Sequence, residues 1–236
     1  MKIFSPLVKS VLSLLPQNFY WRIPFGVMKG VRWRVRSANS GQALGWYEND
    51  TEAEFIHHIF KSSVFWDVGA NVGWFSIMAV KLNSTVRVIA FEPDESNLQH
   101  LKQHKSLNSF DSIDIIESAV GSASGKSRFT ASHQQGRLSD NGDNVVDVIT
   151  ADEFIDTEEN AIPDFIKLDI EGGESDFLIG AVKLLHHYQP TLLLSAHGYQ
   201  KRDECKELLM QYNYRFKELV SDSDRGDYVF LCLSQE

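Results

Sequence analysis

The chain predicts an α/β fold built on a mostly parallel sheet, and three observations carry that expectation. Apolar strand-like runs alternate with helix-like segments from residue 64 onward, the order that places helices on both faces of a parallel sheet. A turn bearing two glycines and an asparagine, "DVGANVG", closes the first of those runs. The last two runs flank the turn-rich "SDSDRG" and read as an antiparallel hairpin at the sheet edge.

The 236 residues are enough to bury one full core. With 43% hydrophobic and 23% charged residues the chain is not disordered, and no stretch reaches the ~18 apolar residues of a membrane span. Cys205 lies in a polar helical pattern and Cys232 in an apolar strand pattern, with no metal-type spacing and no disulfide framework, so the cytoplasm is the expected compartment. The opening "MKIFSPLVKSVLSLLPQ" resembles a signal peptide, but Pro6 and Lys9 interrupt it and no small-residue cleavage site follows cleanly. It reads as mature sequence.

Charge divides the chain in two. Residues 1–47 contain Lys2, Lys9, Arg22, Lys29, Arg32, Arg34 and Arg36 and no acidic residue, while the whole chain carries −9. A basic N-terminal extension, residues 1–48, therefore precedes an acidic α/β domain, residues 49–236. The extension either docks on its own body or a sister subunit, or meets an anionic partner such as an acidic glycan or a membrane surface. Nucleic acid is not expected, because the rest of the chain is too acidic.

Taken in order, "VRWRVRS" alternates Val31, Trp33 and Val35 with three arginines, as a half-buried strand does. In "TEAEFIHHIF", Thr51 and Glu54 have capping-box spacing ahead of an apolar helical face. "VFWDV" is a strand, residues 72–82 a helix, and "VRVIAFE" a second strand. Pro93 then opens a helix through Leu98 and Leu101. "IDIIESAVG" is a third strand, and residues 122–150 are a β insertion in which "GKSRFTAS" and "NVVDVIT" flank a polar loop. The alternation resumes with "DFIKLDI", a helix over Glu174–Tyr188, "TLLLSA", and a helix over Lys201–Tyr212. Of the paired histidines, His57–His58, His100–His104 and His186–His187 are expected on solvated faces.

A glycine turn after the first strand of an open α/β sheet is a nucleotide-site candidate. The dinucleotide fingerprint G-x-G-x-x-G fails here, because Asn71 and Trp74 occupy its second and third glycine positions. What stands is D-x-G-x-N-x-G, with Gly69 and Gly73 able to take positive φ and Asn71 among the side chains that tolerate it. Glu92 ends the second strand, where a carboxylate can accept hydrogen bonds from ribose hydroxyls. No basic residue in "FEPDES" awaits a 2′-phosphate. The pattern describes an adenosine-type ligand with a cationic or zwitterionic far end near Asp67.

"DVGANVGWFS", "AFEPDESNLQHLKQHKSLN", "SAVG", "FIKLDIEGGESDFLIGA" and "PTLLLSAHG" together resemble the successive motifs of the FkbM family of S-adenosylmethionine-dependent methyltransferases, from about Val64 to Gly198. The resemblance implies a Rossmann-like class I methyltransferase sheet, S-adenosylmethionine as donor with S-adenosylhomocysteine as product, and O-methylation of a sugar, glycan or related small molecule. It also implies that Asp67, Gly69, Ala70, Asn71 and Gly73 hold the methionine part, Glu92 the ribose, and Ser118 and Ala119 the adenine. Ser195 departs from the family pattern, in which an acidic residue often ends that strand. The rival readings are a nicotinamide oxidoreductase and a nucleoside-binding protein without catalysis.

For the transfer step, a base in hydrogen-bond reach of the acceptor hydroxyl contributes ~10²–10⁴-fold. Asp169, Glu171 and Glu174 follow the fourth strand and His197 the fifth, so all four can meet at the carboxyl rim. His197 or Glu171 is the expected proton acceptor, with Asp169 near the donor's amine or the substrate hydroxyl. Glu174 fits a first-turn carboxylate facing the helix dipole. Lys167 is expected to pair with Glu117 or Asp67, or to touch substrate. Asp169 with Glu171 could hold Mg²⁺, but nothing in the spacing demands a metal and none is expected. His133, Arg137 and Ser139 of the insertion loop are candidates for substrate contact.

Overall fold

The computed structural model of the chain describes residues 12, 14–16, 18–46, 49–130, 136–138, 142–222, 224 and 226–235. An N-terminal hairpin, β1 (Tyr20–Arg22) and β2 (Arg32–Arg34), leads to helices Ser40–Leu44 and Asn49–Ile59. Next come β3 (Val64–Val68), β4 (Arg87–Phe91) and β5 (Ile113–Ile116), separated by helices Trp74–Leu82 and Glu95–Asn108. A second sheet then forms from β6 (Ala119–Val120), β7 (Gly125–Thr130), β8 (Arg137–Leu138) and β9 (Asn144–Ile149). After helix Ala151–Thr157 the chain builds β10 (Phe165–Leu168), helix Glu174–Ile179, β11 (Thr191–His197) and helix Tyr199–Met210. The hairpin β12 (Tyr214–Asp222) and β13 (Asp227–Ser234) closes it.

The central sheet runs β12-β13-β11-β10-β3-β4-β5. Five strands are parallel and the terminal hairpin adds an antiparallel edge. Strand order reverses between β3 and β10, so a crevice opens past their carboxyl ends. Alternation along each strand feeds two cores. Trp66, Ile89, Ile166 and Leu192 meet Phe154, Phe177 and Leu184 on one face. Phe65, Val88, Phe165 and Leu193 meet Phe55, Phe75 and Met78 on the other. Burial of each such side chain contributes roughly 1.5–3 kcal/mol as an upper estimate. Among the described residues no helix is long and apolar enough to cross a membrane.

Several elements differ from expectation for identifiable reasons. Helix Asn49–Ile59 starts two residues before Thr51, which lies buried inside it, so Thr51 and Glu54 form no capping box. Asp94 caps helix Glu95–Asn108 by accepting the Asn97 N–H at 3.0 Å, which leaves Pro93 just outside the cap. The expected third strand breaks at Glu117–Ser118, and Ala119–Val120 pairs with β9 in the second sheet. The insertion is thus part of a four-stranded sheet and not a lone hairpin. The helix expected over Glu174–Tyr188 stops at Gly180 and resumes as a π-turn over Leu184–Tyr188.

The largest reversal is His104, which is fully buried. The N-terminal hairpin covers the helix face expected to be solvated. Trp33 stacks on the His104 ring at 3.7 Å between centroids, the Arg34 backbone N–H donates to Nε2 at 3.2 Å, and Nδ1 bonds the Val72 carbonyl at 2.8 Å. Burial pushes this imidazole down to about 3, so it stays neutral with its proton on Nδ1. Asn108 adds a reciprocal pair of bonds with the Arg32 backbone. The hairpin therefore grips the helix through these neutral groups together with the Arg34 guanidinium, which donates to Gln103 Oε1 at 3.4 Å.

Candidate active site

A cleft of about 670 Å³ opens past the carboxyl ends of β3, β4, β10 and β11. Asp67, Gly69, Ala70 and Asn71 line it from the first turn, Glu92 from the second, and Ser118 and Ala119 from beyond β5. Asp169 and Glu171 reach it from the end of β10 and His197 from the end of β11. Gly73, expected among the donor-binding residues, does not line the cleft. Its φ is 91°, and a Cβ there would lie 2.3 Å from Leu101 Cδ1, so its missing side chain serves helix packing.

Gly69 has φ 83°, and a Cβ would fall 2.0 Å from the Asp169 carbonyl oxygen, so the two strand-end loops touch backbone to side. The N–H groups of Gly69 and Ala70 donate to Phe91 O, and that of Asn71 to Glu92 Oε2 at 2.7 Å. The Val72 N–H donates to Asn71 Oδ1 at 2.8 Å, and the Gly73 N–H to Ala70 O at 2.8 Å. All five N–H groups are bound within the protein. None is left for the pyrophosphate that a dinucleotide turn is shaped to hold.

What the turn region offers instead is acceptor oxygen. Asp67 is 1% exposed; its Oδ2 accepts the Ser76 hydroxyl at 2.5 Å, and its Oδ1 has no partner. Burial raises this carboxyl, and Lys167, its partner in register across β3 and β10, opposes the rise. Glu92 is equally enclosed. Oε1 accepts from the Asp94 N–H and Asn97 Nδ2, and Oε2 from Asn71, which leaves about one of the four lone-pair sites of a carboxylate open. Burial lifts Glu92 to about 7 against these hydrogen bonds.

The β10–β11 rim is a charge cluster. Lys167 Nζ, packed over the Phe75 ring, bonds Asp169 Oδ2 at 2.8 Å. Its ion pair is thus with Asp169 and not Glu117, which pairs with Lys102. Burial would raise Asp169, but Lys167 and His197 hold it below the ordinary carboxylate value. His197 Nδ1 bonds Glu174 Oε1 at 3.1 Å, while Nε2 lies 3.7 Å from Asp169 Oδ1 and 3.6 Å from Glu171 Oε2. Burial would lower His197, yet the Glu174 hydrogen bond and the three carboxylate charges lift it to about 9. Glu171 is raised by burial, with His197 opposing. Glu174 begins its helix as expected, but it is fully buried and fixes His197 as well as the Gly172 N–H.

The N-terminal segment and the insertion complete the walls. Ala38, Asn39 and Gln42 line the cleft, as do Phe129, Gly136 and Leu138. His133 and Ser139 lie outside the described residues; Arg137 sits on β8 between two lining positions. No periodicity or motif marks Ala38, Asn39 or Gln42, and they went unforeseen.

Residues 67–217 match the model of the methyltransferase FkbM domain. The chain belongs to the FkbM methyltransferase family. It is 25% identical over 180 residues to the hexuronic acid methyltransferase AglP of Haloferax volcanii, covering 75% of this chain and 71% of that one. The methyltransferase FkbM of Methylobacillus flagellatus KT superposes with a TM-score of 0.56 at 23% identity. That match covers 72% of this chain, which spans 43% of the length of the other. A precorrin-6y C5,15-methyltransferase of Geobacter metallireducens GS-15 shares the fold with a TM-score of 0.53 at 14% identity, over 79% of this chain and 88% of that one. This FkbM chain is an S-adenosylmethionine-dependent methyltransferase with a Rossmann-like sheet. The nicotinamide alternative is not favoured.

Proposed function

We propose that this methyltransferase acts on a hydroxyl of an acidic sugar, a hexuronic acid residue of a glycan or a related small molecule. The acceptor class rests on the similarity to AglP. The donor assignment rests on one observation: a turn with no spare N–H and two enclosed carboxylates that each keep an open acceptor site. Such a cleft fits a phosphate-free adenosine with a cationic end. Asp67 Oδ1 receives the ammonium of the methionine part, Glu92 the ribose hydroxyls, and Ser118 with Ala119 flank the adenine.

Bound S-adenosylmethionine supplies an electrophilic methyl on a sulfonium. The protein aligns the acceptor hydroxyl, for which near-attack distances are ~3–3.5 Å, and removes its proton. His197, lifted to about 9, already carries a proton at neutral pH and cannot take another. Glu171 is therefore the base, its basicity raised by burial and by the neighbouring carboxylates. Asp169, tied to Lys167, and His197, tied to Glu174, fix the orientation of the rim around it.

Donor oxygens of Asp169 and Glu171 and a nitrogen of His197 lie within 4.8 Å of one another, a spacing a divalent ion could use. The imidazolium and Lys167 already place two positive charges against these carboxylates, so the reaction is proposed to be metal-independent. Residues 1–48 act as an extension of the domain 49–236, and the two free, buried thiols suit the cytoplasm.

Calorimetry with S-adenosylhomocysteine and with NAD tests the donor site. Binding of the first and silence of the second is expected; a preference for NAD would refute the assignment. Turnover should survive EDTA unchanged, and a metal-restored rate would reassign the rim.

A further inference from the structure

We propose that Gln42 is an acceptor-binding residue, its side-chain Oε1 receiving a hydrogen bond from a hydroxyl of the sugar. This rests on the sugar-methyltransferase reading above. Gln42 lines the cleft, is 5% exposed, and its Oε1 has no hydrogen-bond partner. A buried carbonyl left unpaired is destabilising, so its persistence in a cleft wall points to a ligand that completes it. The neighbouring polar side chain is already committed: Asn39 Oδ1 caps helix Ser40–Leu44 by accepting the Gln42 backbone N–H at 3.0 Å.

The helix that carries Gln42 is held in place. Trp21 Nε1 donates to the Ala43 carbonyl at 2.9 Å, and Ala43 is wholly buried against Leu12 and Val35. The same N-terminal segment is locked to the donor turn by His104, and Trp33 packs edge-on at 5.5 Å against Trp74, which itself lines the cleft. Gln42 is therefore part of a rigidly held wall.

Its ligand is the acceptor and not the donor, for two reasons. Every residue assigned to the donor falls within the family-matched residues 67–217, and Gln42 lies outside them. The donor's ammonium and ribose already have Asp67 and Glu92. A sugar brings several further O–H donors, and a neutral amide oxygen accepts one without repelling a uronate carboxylate as Asp or Glu would.

The test compares the full-length wild type with Gln42→Met and Gln42→Glu. It reads melting temperature, S-adenosylhomocysteine affinity by calorimetry, and methyl transfer to the methyl glycosides of glucuronic acid, galacturonic acid and glucose. Gln42→Met should keep or raise the melting temperature, because it removes an unpaired carbonyl, and should leave product affinity within twofold. Its KM for the wild type's preferred glycoside should rise about tenfold. Gln42→Glu should raise KM more for a uronate than for the neutral glucoside.

An unchanged KM in Gln42→Met overturns the proposal. So does a product affinity that weakens in step with KM, which would place Gln42 at the donor. Wild type that binds the product yet methylates none of the three glycosides refutes the sugar acceptor, and with it the ligand assigned to Gln42, while sparing the donor site. Wild type that does not bind the product refutes the donor site itself.

Discussion

The two ends of the cleft are built on opposite principles. At the β3–β4 end the turn's N–H groups are all taken up within the protein, Asp67 Oδ1 has no partner, and Glu92, hydrogen-bonded at both oxygens, keeps about one lone-pair site open. At the β10–β11 end the side chains pair with one another, with Lys167 on Asp169 and Glu174 Oε1 on His197, and the imidazolium faces Asp169 and Glu171, while Glu174 Oε2 has no partner. The first end is where the proposed donor would bring its positive charge and hydroxyls. The second sets two cations, Lys167 and the imidazolium, among three carboxylates, and so keeps one negative charge in excess for a proton to meet.

Substitutions at each end sharpen this division. Glu171→Gln should lower kcat by ~10²–10⁴-fold with product affinity unchanged; loss of product affinity instead would merge the two ends into one donor site. Gly69→Ala, where the loops of the two ends meet, should destabilise the fold by on the order of 3 kcal/mol, because a Cβ meets the Asp169 carbonyl at a left-handed φ. Denaturant melts read this directly, and an undiminished midpoint would mean that the loops can part.

The β10–β11 end should also show in the pH dependence of stability. His197 is raised from 6.5 to about 9, so its contribution is complete below pH 6.5 and disappears as pH rises from there through 9, a loss of up to about 3 kcal/mol. Glu174→Gln should flatten that slope, and a wild-type profile flat between pH 6.5 and 9 would deny the charged cluster. At the other end, Glu92→Ala should weaken S-adenosylhomocysteine binding by about 1–3 kcal/mol with kcat little changed at saturating donor. An unaltered dissociation constant would remove the ribose contact.

Much of this was legible beforehand. The alternation of strand and helix periods marked the parallel sheet and its antiparallel edge, and D-x-G-x-N-x-G with Glu92 marked residues that line one end of the cleft, because both depend on local backbone and strand ends. His104 was not legible: two histidines at i, i+4 in a polar helix read as solvated until Trp33, 71 positions earlier in the chain, covers them. Helix Ala151–Thr157 carried an overlooked signal, since Thr150 accepts the Glu153 N–H and the pair has capping-box spacing. Gln42 offered none, because its role depends on a missing partner rather than on a pattern.

The single imidazole between Val72 and Arg34 ties the N-terminal hairpin to the turn proposed to hold the donor. Deleting the N-terminal hairpin would strip His104 of its aromatic cover, leave Nε2 without its donor, and free the carbonyl-anchored turn to drift. A shortened enzyme would keep every residue assigned to S-adenosylmethionine and still grip it loosely.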